Sequence, residues 1–476
     1  MAAHPVQVNG LYTDFYELSM AQGYFYAGKE QETAVFEYFF RTNPFHGGFL
    51  VFAGLADLLE QIRSFTYNKE AIAYLGSIGL KPEFLEYLSN FSFKGRILSV
   101  REGEMVFPNE PIVRVEANLI EAQLIETLLL NILNFQSLIA TKAFRILLAA
   151  DGKSFADFGL RRAHGFGGLM ASRAAIIGGA SSTSNVQAAF MYDLPVSGTM
   201  AHSWVQSFGN ELEAFRAYTT INPKSSILLV DTYDTLRSGV PNAILAAKEL
   251  EQKGDRLIGI RLDSGDLAYL SKRARKLLDK EGLAYVKIFA SNQLNEHVIY
   301  SLEDQDAPID GFGVGTELVT GKPDASLDGV YKLCESGGKP SMKISENIEK
   351  NTLPGKKMVW RFFDEDGNIF RDGILLDDES PDECVWLYHP TQTDKKTQVC
   401  NLRKEQLLKP VFENGFLLHP MPTPSECHNY LIQRAGMLPA EHKRFVMPHI
   451  FKVGISEKLL KLRNDLTERY RNSYGL

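Results

Sequence analysis

The segment DFGLRRAHG at residues 157–165 combines residue types that bind planar anions and aromatic rings. Two arginines stand beside glycines just after the apolar run SFA. Guanidinium groups bind carboxylates and phosphates through paired hydrogen bonds, and glycines let a ligand approach the backbone. Phe158 offers a stacking face for an aromatic ligand. The alternative is that Phe158 belongs to the core and that the arginines pair with nearby acids.

A second segment, SGTMAHSW at residues 197–204, places His202 in a turn of small residues. A nucleophilic histidine needs one free ring nitrogen and a partner that orients the other nitrogen. Asp231 or Asp234, which follow a neighbouring apolar run, could be that partner. The alternative is a structural histidine whose ring nitrogens are both satisfied.

The third segment, RLDSGD at residues 261–266, puts one cation and two carboxylates within one turn. Arg261 and Asp263 project to the same side of a strand because strand side chains alternate. Carboxylates placed in this way can bind ribose hydroxyls or hold Mg²⁺ beside a diphosphate. The alternative is that Asp263 and Asp266 cap a helix.

The fourth segment, GFGVGT at residues 311–316, has three glycines at alternate positions followed by the hydroxyl of Thr316. Backbone N–H groups in such a loop, at the start of a helix, can cradle a phosphate. The spacing does not fit the dinucleotide fingerprint, because the third glycine is misplaced. A phosphate loop after a late barrel strand is the commoner use of such a pattern.

Regularly spaced apolar runs must position these segments. The runs lie at residues 227–230, 257–260, 286–290 and 311–314, and their ends are about 24 to 30 residues apart. This interval is the length of one strand–helix unit in a parallel sheet. The first three runs are followed by polar clusters, and the loops after the strands form the active face of an α/β barrel. The sequence therefore predicts an α/β barrel that carries the site.

The chain on either side of these repeats has a different pattern. Before residue 150, the sequence predicts the following mixed elements: a helix within 14–28, strands at 36–40 and 49–52, a strand-rich part at 90–117 and a helix over 119–149. After residue 355 it predicts strands with turns at Asp366-Gly367 and Asp372-Gly373, and then a basic terminal helix. We therefore divide the chain into a mixed α+β domain (1–150), a barrel (151–355) and a C-terminal segment (356–476).

Composition narrows the class of protein. The chain has 476 residues, 45% hydrophobic and 23% charged, which is typical of a globular protein. Its net charge of -7 argues against a broad surface for nucleic acid or anionic membrane. The most apolar stretch, 127–141, is too short for a membrane span, and the N-terminus lacks a signal-peptide pattern. No CxxC pair occurs among Cys334, Cys384, Cys400 and Cys427, so we expect reduced thiols and a cytoplasmic location.

Taken together, the ordered segments resemble the nicotinate phosphoribosyltransferase family. The matching segments between residues 12 and 355 are YTDFYELSMAQGY, DFGLRRAHG, SGTMAHSW, VDTYDT, IRLDSGDL, FGVGTELVT and KPSMKISENIEKNTLPGK, and the tail FVMPHIFKVGISEKL also matches. The resemblance implies a type II phosphoribosyltransferase-like α/β fold. In that fold an irregular (β/α) barrel packs with a mixed α+β domain formed by the N- and C-terminal parts.

The resemblance also implies a role for individual residues. His202 matches the histidine that the family phosphorylates with ATP, beside Asp231 and Asp263. Tyr16 and Phe158 match the aromatic pair around the pyridine ring, with Tyr16 arriving from the second subunit of a homodimer. The other implied roles are nicotinate contacts by Arg161, Thr199 and Arg261, a 5-phosphate loop of Gly313, Gly315 and Thr316, and Mg²⁺ binding by Asp263 and Asp266. For Lys343 and Lys350 the resemblance implies no role other than contacts with the diphosphate.

The implied reaction joins nicotinate to phosphoribosyl diphosphate, giving nicotinate mononucleotide and diphosphate with hydrolysis of ATP. It is the first step of NAD biosynthesis from nicotinate, and it needs neither nucleic acid nor a membrane. Two rivals remain open at this point: a relative that uses nicotinamide and a non-catalytic nucleotide-binding paralog. A barrel isomerase or lyase acting on a sugar phosphate would explain the glycine loop but not the pairing of Phe158 with Arg161. Arg161, Arg162 and Arg261 favour a ring that bears a carboxylate.

Overall fold

The computed structural model describes residues 8–344, 352–381 and 384–474, so Lys350 lies outside the described residues. The chain divides into two compact units. One unit is Lys142–Ala325, and the other combines residues 8–141 with residues 326–474. We call them the central unit and the terminal unit.

The first part of the terminal unit follows the predicted order of elements. It comprises α1 (Phe15–Tyr26), β1 (Thr33–Phe40), β2 (Leu50–Val51), α2 (Leu55–Ser64), α3 (Lys69–Ser77), α4 (Pro82–Ser89), β3 (Arg96–Ser99), β4 (Met105–Val106), β5 (Val113–Asn118), α5 (Leu119–Leu124) and α6 (Glu126–Ala149), which continues into the central unit. The single helix predicted over 119–149 is in fact two, because the helix is interrupted at Ile125.

The central unit alternates strands and helices, as the repeats predict. Its elements are β6 (Ser154–Asp157), α7 (Gly167–Gly178), β7 (Ser182–Thr183), α8 (Val186–Tyr192), α9 (His202–Gln206), α10 (Glu211–Ile221), β8 (Ile227–Leu229), α11 (Val240–Gln252), β9 (Gly259–Leu262), α12 (Leu267–Lys280), β10 (Lys287–Ser291), α13 (Glu296–Asp304), β11 (Gly311–Val314) and α14 (Thr316–Val319). Asn210 caps α10 by accepting a hydrogen bond from the Glu213 N–H at 3.0 Å.

All paired strands of the central sheet run parallel, in the order β7-β6-β11-β10-β9-β8. In the described residues β7 and β8 are the two edges, so this sheet has six strands where a (β/α)₈ barrel has eight. Most strand residues are buried, among them all four of β11 and three of the four in β9, where Arg261 is partly exposed. Leu228, Ile260 and Ile288 are fully buried in one core cluster with residues of α11 and α12. The carboxyl ends of these strands therefore lie at one edge of a rigid sheet.

The second part of the terminal unit is mainly antiparallel. Its elements are β12 (Gly329–Ser336), β13 (Lys339–Pro340), β14 (Lys357–Phe363), β15 (Ile369–Leu376), β16 (Val385–Tyr388), β17 (Lys396–Val399), β18 (Lys404–Gln406), β19 (Lys409–Glu413), β20 (Phe416–Leu417), α15 (Pro424–Met437), β21 (Val453–Ser456) and α16 (Glu457–Tyr474). β12 pairs with β1 along its whole length. Residues from 329 onward thus belong to the terminal sheet, ahead of the predicted boundary at 355.

Of the two predicted turns in this region, one is found. Asp366-Gly367 connects β14 and β15, but Asp372-Gly373 lies inside β15. Asp372 is fully buried there and pairs with Arg361, so burial of a charge overrides its turn preference.

Two cysteines depart from the expectation of reduced thiols. Cys384 and Cys400 form a disulfide, whereas Cys334 and Cys427 are free and buried. The cause is strand register: Val385 pairs with Val399, so the two cysteines stand opposite each other at the end of the β16–β17 ladder. Their separation of 16 residues in the sequence carries no sign of this pairing.

One helix in the described part of the chain, α6, is long and apolar enough to cross a membrane by length and composition. However, 78% of its most apolar 18-residue window is buried inside the fold. This is the environment of a core helix, as the polar residues within the stretch predict.

A buried charge cluster lies within the terminal unit. Arg361 is fully buried and donates to Asp372 at 2.6 and 2.9 Å, and it also pairs with Glu104. Glu110 lies beside Asp372, and one of its oxygens accepts from the Phe107 N–H at 2.8 Å. Burial, together with the negative charge of Asp372, raises the pKa of Glu110 well above the usual carboxyl range. The raised pKa favours the protonated form of Glu110 in the folded state.

We expect Glu110→Gln to remove a pH-dependent part of the stability. Because the folded-state pKa is raised, the Glu110 contribution is full below the ordinary carboxyl pKa and is lost as pH rises through the raised value. Glutamine keeps a donor and an acceptor but does not titrate. The free energy of unfolding of the wild type should fall relative to Glu110→Gln by up to about 1.4 kcal/mol per pH unit in that window. Urea unfolding at about pH 5 and about pH 8 measures the difference; Glu60→Gln, on the surface, should show none.

Candidate active site

A buried aspartate fixes the turn that carries Phe158. Asp157, at the end of β6, is fully buried and accepts from the Gly159 N–H (2.8 Å), the Ser172 hydroxyl (2.7 Å) and the Thr183 hydroxyl (2.8 Å). Burial raises its pKa. Sequence reasoning did not assign Asp157 a role, although its place at a strand end before a glycine was a usable signal. Asp157 is a positioning residue for the turn that follows.

The glycine-rich segment supports the Phe158 ring. A Cβ atom on Gly313 would come within 2.5 Å of that ring, so only glycine allows Phe158 to lie against β11. Gly313 is within a strand and buried, and the loop proper begins at Gly315. Thr316 is the first residue of the four-residue helix α14. The phosphate-cradling part of the prediction therefore narrows to Gly315 and Thr316, because Gly313 serves packing.

His202 begins α9 and lies between a hydroxyl and a carboxylate. Its Nδ1 is 3.1 Å from the Thr232 hydroxyl, and its Nε2 is 3.8 Å from a carboxylate oxygen of Asp263. The ring is partly exposed, with 41% of the side-chain surface accessible. The sequence-based choice of Asp231 or Asp234 as its acid partner is wrong: the acid that faces the ring is Asp263. Asp234 instead caps the turn Thr235–Gly239.

A short network joins the acids of neighbouring strands. Asp263 accepts a hydrogen bond from the buried hydroxyl of Ser291, at the end of β10. Asp231 accepts from the Asp263 N–H (2.8 Å) and from the Ser264 hydroxyl (2.7 Å). The other oxygen of Asp231 is buried and has no hydrogen-bond partner in the described residues. Asp263 is thus held facing His202, while Asp231 keeps one acceptor oxygen unused.

Arg261 brings the second and third segments together. Its Nη2 donates to the Met200 carbonyl at 3.0 Å, next to Thr199, and its buried Nε has no partner among the described residues. Burial lowers the pKa of Arg261, and the carboxylates of Asp263 and Asp231 oppose that shift. A partly desolvated guanidinium with a free donor is suited to an anionic ligand.

Three further predicted residues, Asp266, Arg161 and Tyr16, differ in their surroundings, and the positive charge of Arg161 helps to lower the pKa of Arg261. Asp266 accepts from the Tyr269 N–H at 3.0 Å and caps α12, so the capping alternative holds for Asp266 and not for Asp263. Arg161 is exposed in the short turn Leu160–Arg162. Tyr16 lies in the terminal unit, 46% exposed, where burial and the nearby Glu126 raise its pKa.

The acids fit a cation that is shared with a phosphate ligand. In the part of the chain that the structure describes, no group of three or more His, Cys, Asp or Glu side chains could hold a metal ion alone. Mg²⁺ commonly uses one or two carboxylates together with substrate phosphates and waters. The unused oxygen of Asp231 and the neighbouring Asp263 meet that requirement, whereas Asp266 is occupied as a cap.

Known proteins match the chain over nearly its full length. The N-terminal domain model of nicotinate phosphoribosyltransferase matches residues 11–134, and the C-terminal domain model matches residues 356–463. The nicotinate phosphoribosyltransferase of Bacillus subtilis is 46% identical over 458 residues, covering 94% of this chain and 93% of that protein. This chain belongs to the nicotinate phosphoribosyltransferase family. The Caenorhabditis elegans member is 36% identical, covering 96% of this chain and 93% of that protein.

A solved structure agrees with this assignment. The crystal structure of human nicotinic acid phosphoribosyltransferase superimposes with a TM-score of 0.86 and 31% identity, covering 95% of this chain and 99% of the human chain. The family and the α/β fold predicted from the ordered motifs are thereby confirmed. The likeness also extends over the central repeats, which the two domain models leave unmatched.

Proposed function

We propose that this chain is an ATP-dependent nicotinate phosphoribosyltransferase. It joins nicotinate to phosphoribosyl diphosphate, forms nicotinate mononucleotide and diphosphate, and catalyses the first step of NAD biosynthesis from nicotinate. The observation that carries the proposal is the position of His202 between Thr232 and Asp263, at the sheet edge where Arg261 keeps a free donor. The proposal includes a cytoplasmic location and a homodimer in which Tyr16 completes the partner's site.

Different residues bind the nicotinate and the 5-phosphate of the phosphoribosyl group that is transferred. Arg261, with Arg161 and Thr199, binds the nicotinate carboxylate, and Phe158 stacks on the pyridine ring. The pyridine nitrogen attacks the ribose C1 as the bond to diphosphate breaks, so positioning and neutralisation of the leaving group lower the barrier. No proton has to move, because the pyridine nitrogen already carries a lone pair. Gly315 and Thr316 cradle the 5-phosphate.

His202 couples this transfer to ATP. A ring nitrogen forms a P–N bond to the γ-phosphoryl group as the β–γ P–O bond breaks, which releases ADP; water later cleaves the P–N bond and releases phosphate. Asp263 stabilises the positive charge that the ring gains during attack. Asp231 and Asp263 would hold Mg²⁺, which would supply positive charge against the diphosphate. The phosphohistidine adds negative charge beside these acids and so changes the affinity of the site for diphosphate.

The direct test is product formation from phosphoribosyl diphosphate with either nicotinate or nicotinamide, with and without ATP and Mg²⁺. We expect turnover of nicotinate that ATP increases. Turnover of nicotinamide alone would assign the chain to the nicotinamide-using relative. Absence of turnover with both bases would favour a binding protein.

We expect Arg261→Met to reduce kcat/KM for nicotinate by roughly 10- to 100-fold, the value of one charge-assisted hydrogen bond. Turnover of nicotinamide should change much less, because that base has no carboxylate. Steady-state kinetics with both bases measure the ratio. Arg216→Met is the matched control, since Arg216 is exposed and pairs with Glu249 at 2.6 Å. An equal loss for both bases would assign Arg261 a structural role instead.

A further inference from the structure

A large cleft is lined by residues of the terminal unit alone, and none of them is a residue that we assign to catalysis. Its volume is about 1470 Å³, and it is bounded by the β16–β17 hairpin, by residues 448–454 and by one face of α16. Nine Lys and Arg side chains line it against three Asp and Glu side chains. The whole chain carries a net charge of -7, so this local excess of positive charge runs against the overall balance.

Arg371, in β15, is the most informative residue of the cleft. Only 7% of the Arg371 surface is exposed, and its Nε has no hydrogen-bond partner among the described residues. Its charged group packs on the Phe370 ring at 4.6 Å and meets no carboxylate in the described chain. An arginine cannot shed its proton to relieve burial. A buried guanidinium without a counter-ion is costly, and an anionic ligand would remove that cost.

Arg463, on α16, is a second, half-buried arginine that lines the cleft. It donates to the Pro390 carbonyl, and burial lowers its pKa with no compensating carboxylate in the described residues. Thr467 and Arg471 follow at intervals of four residues, so they lie on the same face of the helix. All three residues line the cleft.

Two of the cleft's carboxylates already have cationic partners. Glu37 pairs with Lys357 at 2.9 Å, and Asp328 lies 3.9 Å from Arg41. The same unit does balance a buried arginine elsewhere, since Arg361 contacts both Glu104 and Asp372. Arg371 in the cleft therefore differs from Arg361, because no carboxylate among the described residues pairs with it.

We propose that this cleft binds a phosphate-bearing small molecule, with Arg371 and Arg463 as its principal anion contacts. Guanidinium forks match phosphate oxygens in pairs, which favours phosphate over a single carboxylate. At about 1470 Å³ the cleft is larger than the roughly 300–1,000 Å³ usual for small-molecule sites, so it has room for a metabolite as well as for inorganic phosphate. Tyr388 and Phe451 also line the cleft and offer apolar surface to a base or a sugar.

The test is calorimetric titration of the full chain with AMP, inorganic phosphate and adenosine. We expect AMP to bind and adenosine not to bind, because the phosphate supplies the contact. Comparable binding of inorganic phosphate would identify free phosphate as the ligand, and weaker binding would identify a nucleotide; both support the site. Arg371→Met and Arg463→Met should each weaken binding by at least about tenfold. The control Arg63→Met, at an exposed pair with Glu60, should bind as the wild type does.

Thermal unfolding gives a second readout that does not depend on catalysis. In phosphate-free buffer Arg371→Met should unfold at the same or a higher temperature, because it removes an uncompensated buried charge. It should also lose the rise in Tm that the anion causes in the wild type. No anion binding by the wild type, or unchanged binding by both variants, would overturn the proposal. So would an increased KM for phosphoribosyl diphosphate in Arg371→Met, since the cleft would then be part of the substrate site.

Discussion

We expect His202→Ala to abolish the stimulation of nicotinate turnover by ATP. The ring is the only histidine ring that the site network holds within reach of Asp263 in the described residues, with Thr232 on its other nitrogen. Without a ring nitrogen no P–N bond can form, so ATP hydrolysis and turnover become uncoupled. Turnover in the absence of ATP should persist, because binding and positioning by Arg261 and Phe158 remain.

Two measurements check this expectation. Intact-protein mass after incubation with ATP should show one acid-labile phosphate in the wild type and none in His202→Ala. The matched control is His297→Ala, since His297 lies at an exposed position on α13. A phosphate adduct retained in His202→Ala, or an undiminished effect of ATP, would contradict the role assigned to His202.

The second large effect concerns stability. We expect Arg361→Met to lower the free energy of unfolding by about 3–5 kcal/mol, the usual cost of removing one partner from a buried ion pair. The substitution leaves the carboxylates of Glu104 and Asp372 in a fully buried place, although Arg434 still contacts Glu104 at 2.8 Å.

Urea unfolding of Arg361→Met and of Arg216→Met compares the stability lost with a buried ion pair to the stability lost with an exposed one. Arg216 is about half exposed and makes a similar ion pair with Glu249, so its loss should cost less than about 1 kcal/mol. Equal losses in the two variants would show that burial of the Arg361 cluster adds nothing. The Glu110→Gln variant can be compared in the same unfolding series, because Glu110 also lies beside Asp372.

The sequence predicted those features that depend on residues close together in the chain. The repeat of apolar runs gave the parallel sheet, since buried strands at regular spacing need helical crossovers. The apolar run GFGV at 311–314 is β11, because this strand depends on a few adjacent residues. The ordered motifs predicted the family, which the comparisons confirm. The strand at 257–260 lies at Gly259–Leu262 instead, since apolar content alone marks strand ends poorly.

Relations between distant residues needed the tertiary structure. The sequence placed His202, Asp231 and Asp263 at one sheet edge, but only strand register and the Ser291 hydroxyl decide that Asp263 faces the ring. Likewise, Gly313 looked like a phosphate-loop glycine, and its contact with Phe158 shows that packing requires it.

The same distinction explains what the sequence could not contain. The disulfide depends on which β-strand residues stand opposite each other. The charge of Arg371 is unbalanced because no carboxylate among the described residues acts on it. Sequence alone therefore determined the element types, the sheet edge that carries the chemistry and the family. Folding decided the partners, because hydrogen bonds, ion pairs and burial are set by distances in space between residues far apart in the chain.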